Sequence, residues 1–179
     1  KCIESGAFIQ GPEVKSFEAD LSAYLDGAHV IACANGTDAL QIALMALNLE
    51  HGDEVIVPSF TFVASVEVIA LLGLKPIVVD VDPRTFLMKT EDIEASLSPR
   101  TKAIIPVHLF GQCVNMKTLM AIAKSRDLYV IEDNAQSIGA RCNTSDDTKQ
   151  MSGTIGHIGC TSFYPSKNLG CYGDGGAMF

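Results

Sequence analysis

The chain has 179 residues, 47% of them hydrophobic and 19% charged. That balance excludes a disordered polypeptide and a coiled coil, and the length is enough for one domain with a sizeable core. Thirteen basic against 21 acidic residues give a net charge of −8, which argues against nucleic acid or an anionic membrane as a general partner. A phosphate ligand stays possible, because the N–H groups at a helix start can bind one.

In chain order, short apolar runs alternate with amphipathic segments, the pattern of an α/β sheet. Residues 14–25 read as a surface helix, with Val14, Phe17, Leu21 and Leu25 on one stripe. A strand at 29–34 precedes a helix at 37–49. A strand at 54–57 ends at Pro58, and 61–72, apolar on most sides, predicts a buried helix. A strand at 76–81 follows, and Thr90 can cap a short helix to residue 97. Then come a strand at 102–107, a helix at 116–125 and a strand at 128–132. The polar stretch 141–153 reads as a loop or exposed hairpin. Strands at 158–164 and from 176 complete a single doubly wound, mostly parallel sheet.

No apolar stretch is long enough to span a bilayer, and no leader-like segment opens the chain. Both ends read as cut, so a piece of a longer protein is expected. The six cysteines (2, 33, 113, 142, 160 and 171) form no CxxC pair, and reduced thiols in a cytosolic protein are expected. His29, His51 and His157 lack the spacing of metal ligands. Asp80 and Asp82 read as a strand-ending turn before Pro83. The surroundings of Met45 and Phe86 read as core.

Ligands of such sheets bind at the carboxyl ends of strands, and three junctions there could carry chemistry. In Asn35-Gly36-Thr37-Asp38, Gly36 permits close approach and Thr37 opens a helix, so an anion site and an ordinary helix cap are both open readings. In Ile131-Glu132-Asp133-Asn134, an acid ends a buried strand and needs a cationic or hydrogen-bonding partner, unless it only caps the next segment. In Phe163-Tyr164-Pro165-Ser166-Lys167, a lysine among small and aromatic residues can be desolvated into a nucleophile, or can simply be solvated. Together, a phosphate cradle, a buried acid and an amine match the phosphate, ring nitrogen and aldehyde of pyridoxal phosphate. His108 also ends a strand at this edge and is a further candidate for ligand contact.

The chain resembles the DegT/DnrJ/EryC1/StrS family of nucleotide-sugar aminotransferases. The carriers are Asn35-Gly36-Thr37-Asp38-Ala39-Leu40, Gly52-Asp53-Glu54-Val55-Ile56, Pro58-Ser59-Phe60-Thr61-Phe62, Ile131-Glu132-Asp133, Ala135-Gln136, Pro165-Ser166-Lys167-Asn168 and Gly173-Asp174-Gly175-Gly176. The resemblance implies an aspartate aminotransferase-like fold. That fold is an α/β three-layer sandwich with a mostly parallel mixed sheet, and residues 1–179 would form its large cofactor-binding domain without the small C-terminal one.

It also implies roles. Lys167 would hold pyridoxal 5'-phosphate covalently, and Asp133 would pair with its ring nitrogen. Gln136 would lie near the ring hydroxyl and Phe62 against the ring face, with Gly36, Thr37 and Ser162 at the phosphate. A nucleotide-linked keto sugar and glutamate would be the substrates, in a cytoplasmic homodimer whose sites are shared between subunits. The segments Gly170-Cys171-Tyr172 and Gly111-Gln112-Cys113 look most like enzymes acting on 3-keto UDP-N-acetylglucosaminuronic acid. Alternatives are a sugar dehydratase of the same fold, whose members carry His at the position of Lys167, and a non-catalytic relative. Asn134, where the family often has Ala, and the polar insert at 142–151 are departures.

Overall fold

The computed structural model describes residues 2–145 and 148–179. After a single turn, α1 (Cys2–Ser5), come α2 (Pro12–Tyr24), β1 (Ile31–Cys33) and α3 (Gly36–Ala46). The middle of the chain runs through β2 (Glu54–Pro58), α4 (Ala64–Leu71), β3 (Lys75–Val79), β4 (Thr101–Ile104), α5 (Met116–Arg126) and β5 (Tyr129–Asp133). It closes with the hairpin β6 (Arg141–Asn143) and β7 (Lys149–Met151), then β8 (Ile158–Ser162) and β9 (Gly176–Met178).

Seven strands form one sheet in the order β1-β9-β8-β5-β4-β2-β3, and β6 pairs only with β7. Each pairing from β3 across to β8 is parallel, while β9 runs antiparallel to both β8 and β1. The expected mixed, mostly parallel sheet is therefore present, with one reversed strand inserted beside β8.

Strand alternation divides the core into two faces. Val55, Val57, Ala103, Ile105 and Ile131 face α3 and α4. Ile56, Ile104 and Val130, their neighbours in sequence, face α5 and the hairpin, together with Leu119 and Cys142. Helices and loops thus cover both faces of the sheet, which makes the three layers. Under α2 a smaller cluster joins Leu21, Leu25, Met151, Phe163 and Ala177.

Several local expectations need correction. Residues 61–72 do not form one buried helix: the chain bends through Phe62 and Val63, 66% and 60% exposed, and α4 buries only Ala64, Ser65, Val68 and Ile69. Residues 90–97 form two 3₁₀ turns, and Thr90 lies buried inside the first rather than capping it. Met45 and Phe86 are not core, being 58% and 41% exposed. The polar stretch is a hairpin as expected, although residues 146 and 147 of it lie outside the described residues.

The cysteines are not all reduced, contrary to expectation. Cys113 and Cys142 are joined by a disulfide, while Cys2, Cys33, Cys160 and Cys171 are free. Folding brings together two thiols 29 residues apart, one in the loop after β4 and one on β6, so sequence spacing could not reveal the pair.

Candidate functional site

The strands present their carboxyl ends along one edge, and the junctions singled out in the sequence converge there. A cavity of about 730 Å³ is lined by Gly36, Thr37, Phe62, Asp133, Gln136, Ser162 and Lys167, among others. All seven candidate site residues therefore share one space.

Asp133 ends β5 on the face that carries Ile131, and this directs it toward α4. There the Ser65 hydroxyl donates to its Oδ2 at 2.8 Å, and the Ala135 N–H donates to Oδ1 at 3.1 Å. Burial pushes the Asp133 carboxyl up, while Ser65, the Ala135 N–H and the charge of Lys167 pull the other way. A buried acid whose desolvation outweighs its partners is a group waiting for a cation.

Glu132, one residue earlier, points to the opposite face and is fully buried. It accepts from the N–H groups of Gly153, Ile155 and Gly156 at 2.8, 2.7 and 2.5 Å. The Val114 N–H donates to His108 Nδ1 at 3.2 Å, so Nε2 is the nitrogen that donates to Glu132, at 2.7 Å. His108 is thus a buried support for Glu132 and does not line the cavity, contrary to the ligand contact considered for it.

At the other end of the cavity, α3 begins under Asn35. The Asn35 side chain accepts the Asp38 N–H at 2.8 Å, and its carbonyl accepts the Ala39 N–H at 3.1 Å. The Gly36 and Thr37 N–H groups, in the first turn, have no acceptor within the helix. Two glycines allow this geometry. A Cβ at Gly36 would fall 2.6 Å from the Ser162 Cβ, and one at Gly176 would fall 2.3 Å from the Asn35 carbonyl oxygen. The helix start and β8 consequently sit close enough for two backbone N–H groups and the Ser162 hydroxyl to meet one anion.

Lys167 lies in the loop from 163 to 175, which is closed at its base where the Phe163 N–H donates to the Gly175 carbonyl at 2.7 Å. A turn inside the loop, with the Lys167 N–H donating to the Tyr164 carbonyl at 2.8 Å, fixes the lysine backbone. The Lys167 side chain is half-buried on the cavity wall. Gln136 bridges two parts of the site, its Oε1 accepting the Phe110 N–H at 3.0 Å.

Ser65 was not foreseen from the sequence. A serine near a helix start has many roles, and only the closure of α4 over β5 brings it to Asp133. Thr61, whose hydroxyl is 3.0 Å from that of Ser65, was missed for the same reason.

The doubly wound sheet thus brings an acid, an amine and a helix start to face one cavity at its strand ends. The chain matches the model of the DegT/DnrJ/EryC1/StrS aminotransferase family over residues 1–179 and belongs to that family. It is 50% identical over its whole length to the UDP-2-acetamido-2-deoxy-3-oxo-D-glucuronate aminotransferase of Pseudomonas aeruginosa, covering 48% of that protein. Among solved structures, a DegT DnrJ EryC1 StrS aminotransferase from Brucella abortus is 51% identical with a TM-score of 0.92, with 99% of this chain and 48% of that one covered. A Bacillus subtilis protein solved with bound cofactor PMP is 41% identical with a TM-score of 0.89, covering 98% of this chain and 38% of that one. The chain therefore spans about half the length of the curated relative and of the Brucella structure, and rather less of the Bacillus one.

Proposed function

We propose that this chain is the cofactor-binding large domain, residues 1–179, of an aminotransferase that moves the amino group of glutamate to the keto group of a nucleotide-linked sugar. The observation that carries the reading is the meeting of Asp133, Lys167 and the start of α3 in one cavity. Pyridoxal 5'-phosphate fits those residues. Asp133 is a desolvated carboxyl suited to a protonated ring nitrogen, and the Gly36–Ser162 approach leaves a cradle that a Cβ would fill. Phe62 offers an exposed ring at the cavity wall for stacking, and Gln136 lies within the same space.

When bound, the cofactor supplies an electron sink for the carbanion formed at a substrate carbon. Each protein group has a definite task around it. Asp133 would hold a proton on the ring nitrogen by opposing its charge. Gly36, Thr37 and Ser162 anchor the phosphate by hydrogen bonds. Lys167 Nζ would hold the cofactor, would give it up to the amino donor, and would then serve as the tethered base that moves a proton.

The match to the Pseudomonas relative favours a UDP-linked 3-keto N-acetylglucosaminuronic acid as the acceptor. We assign the whole protein to the cytoplasm, where the Cys113–Cys142 disulfide would be an exception to the usual reduced thiols, as a homodimer whose second subunit completes the site. No helix among the described residues is long and apolar enough to cross a membrane.

Glutamate alone, added to the cofactor-loaded full-length protein, is expected to bleach the visible cofactor band and release an equimolar amount of 2-oxoglutarate. Adding the keto sugar should restore the band and yield the amino sugar, giving ping-pong kinetics. Release of water from the sugar, with no nitrogen transferred, would establish a dehydratase instead.

A further inference from the structure

A second cavity, of about 390 Å³, adjoins the first and is lined by Phe110, Gln136, Ser166, Lys167 and Asn168. It shares Gln136, Ser166 and Lys167 with the larger space, so a ligand in it would reach the reactive amine. Among the described residues its wall has one aromatic ring, two amides, one hydroxyl and the Lys167 amine, with no arginine or carboxylate. With that amine given to the cofactor, the remaining groups suit a pyranose, which has a C–H face for the ring and a rim of hydroxyls for the amides, better than they suit a dicarboxylate.

Phe110 is held there at some strain. Its backbone is left-handed (φ 57°, ψ 27°), a conformation that bulky side chains rarely adopt. The strained turn points the Phe110 N–H at Gln136 Oε1 and leaves the ring 62% exposed. The ring is braced edge-on by Phe86, itself left-handed at φ 61°, with centroids 6.4 Å apart. Phe86 in turn lies 5.2 Å from the ring of Phe60. An exposed aromatic held off the core by an unfavourable backbone, and lining a cavity, points to a ligand.

We infer that Phe110 is the platform of the acceptor-sugar subsite, its ring packing on the C–H face of the pyranose beside Gln136 and Asn168. This rests on the aminotransferase reading, since it takes the sugar of that reaction as the occupant.

Phe110→Gly tests it, because glycine relaxes the left-handed turn while deleting the ring. Calorimetry of UDP-N-acetylglucosamine with the cofactor-loaded full-length protein should show at least tenfold weaker binding in Phe110→Gly. Its thermal stability should be equal or higher, and Phe110→Tyr should restore the affinity. The rate of the glutamate half-reaction should fall far less than the sugar affinity. Unchanged affinity in Phe110→Gly, an equal loss on the glutamate side, or no binding to the wild-type protein would overturn the subsite. Phe110-dependent sugar binding in a protein inert to glutamate would support the subsite and overturn the aminotransferase reading instead.

Discussion

Replacing Asp133 with alanine in the full-length, cofactor-loaded protein is expected to slow turnover by about 10²- to 10⁴-fold. Removing one member of a buried charge pair costs about 3–5 kcal/mol, and each 1.4 kcal/mol is a factor of ten in rate. The loss should fall on the chemical step, because in the proposed reaction Asp133 would oppose a charge on the ring that the reacting state needs. Steady-state and single-turnover rates check this; a loss below about tenfold would mean that Asp133 does not meet the ring nitrogen.

The same residue gives an opposite effect on stability once the cofactor is removed. Burial raises the folded-state carboxyl above its unfolded value. A raised group contributes stability that is complete below the unfolded range and is lost as pH rises through the folded one. The cofactor-free protein therefore carries a penalty at neutral pH, and Asp133→Asn should unfold at a higher temperature there. The advantage should vanish as pH falls into the ordinary carboxylate range. Loss of function with gain of stability in one residue marks a group selected for its ligand.

Glu132→Ala is expected to act in the other way, on folding. Four donors converge on this carboxylate: three backbone N–H groups and His108 Nε2. Stranding buried donors costs about 1–3 kcal/mol each, so a loss of about 5 kcal/mol or more is expected. That approaches the whole stability of a typical domain, and the variant should be recovered poorly or unfold at a much lower temperature. Glu132→Gln keeps one acceptor oxygen and should be milder. Thermal unfolding and the rate per folded molecule separate the two acids. Glu132→Gln should keep most of its rate per folded molecule, and an equal collapse in Glu132→Gln and Asp133→Ala would contradict the division of faces.

That division was legible in the sequence because strand alternation is strict. In Val130-Ile131-Glu132-Asp133, an apolar run commits β5 to burial on both faces, and adjacent acids must then part. The junction at Asn35-Gly36-Thr37 was legible for a similar local reason, a capping residue and a glycine between an apolar strand and an apolar helix. What stayed hidden depends on contacts between distant segments. Ser65 meets Asp133 only when α4 folds over β5, across 68 positions of sequence. Cys113 and Cys142 meet only when the hairpin lies against the loop after β4.

Hydrophobicity alone marks Phe86 for burial, whereas its backbone turns the ring outward to Phe60 and Phe110. The 61–72 segment misled in the same way. Its apolar residues serve both the core, through Val68 and Ile69, and the cavity wall, through Phe62. A single residue pattern cannot distinguish those two destinations.

In the proposed reaction Lys167 is the amine that would carry the cofactor. Borohydride treatment of the cofactor-loaded full-length protein should fix the cofactor covalently, and peptide mass mapping should place it on the peptide containing Lys167. A label on another lysine, such as the exposed Lys75 paired with Glu54 or the exposed Lys102, would contradict the assignment.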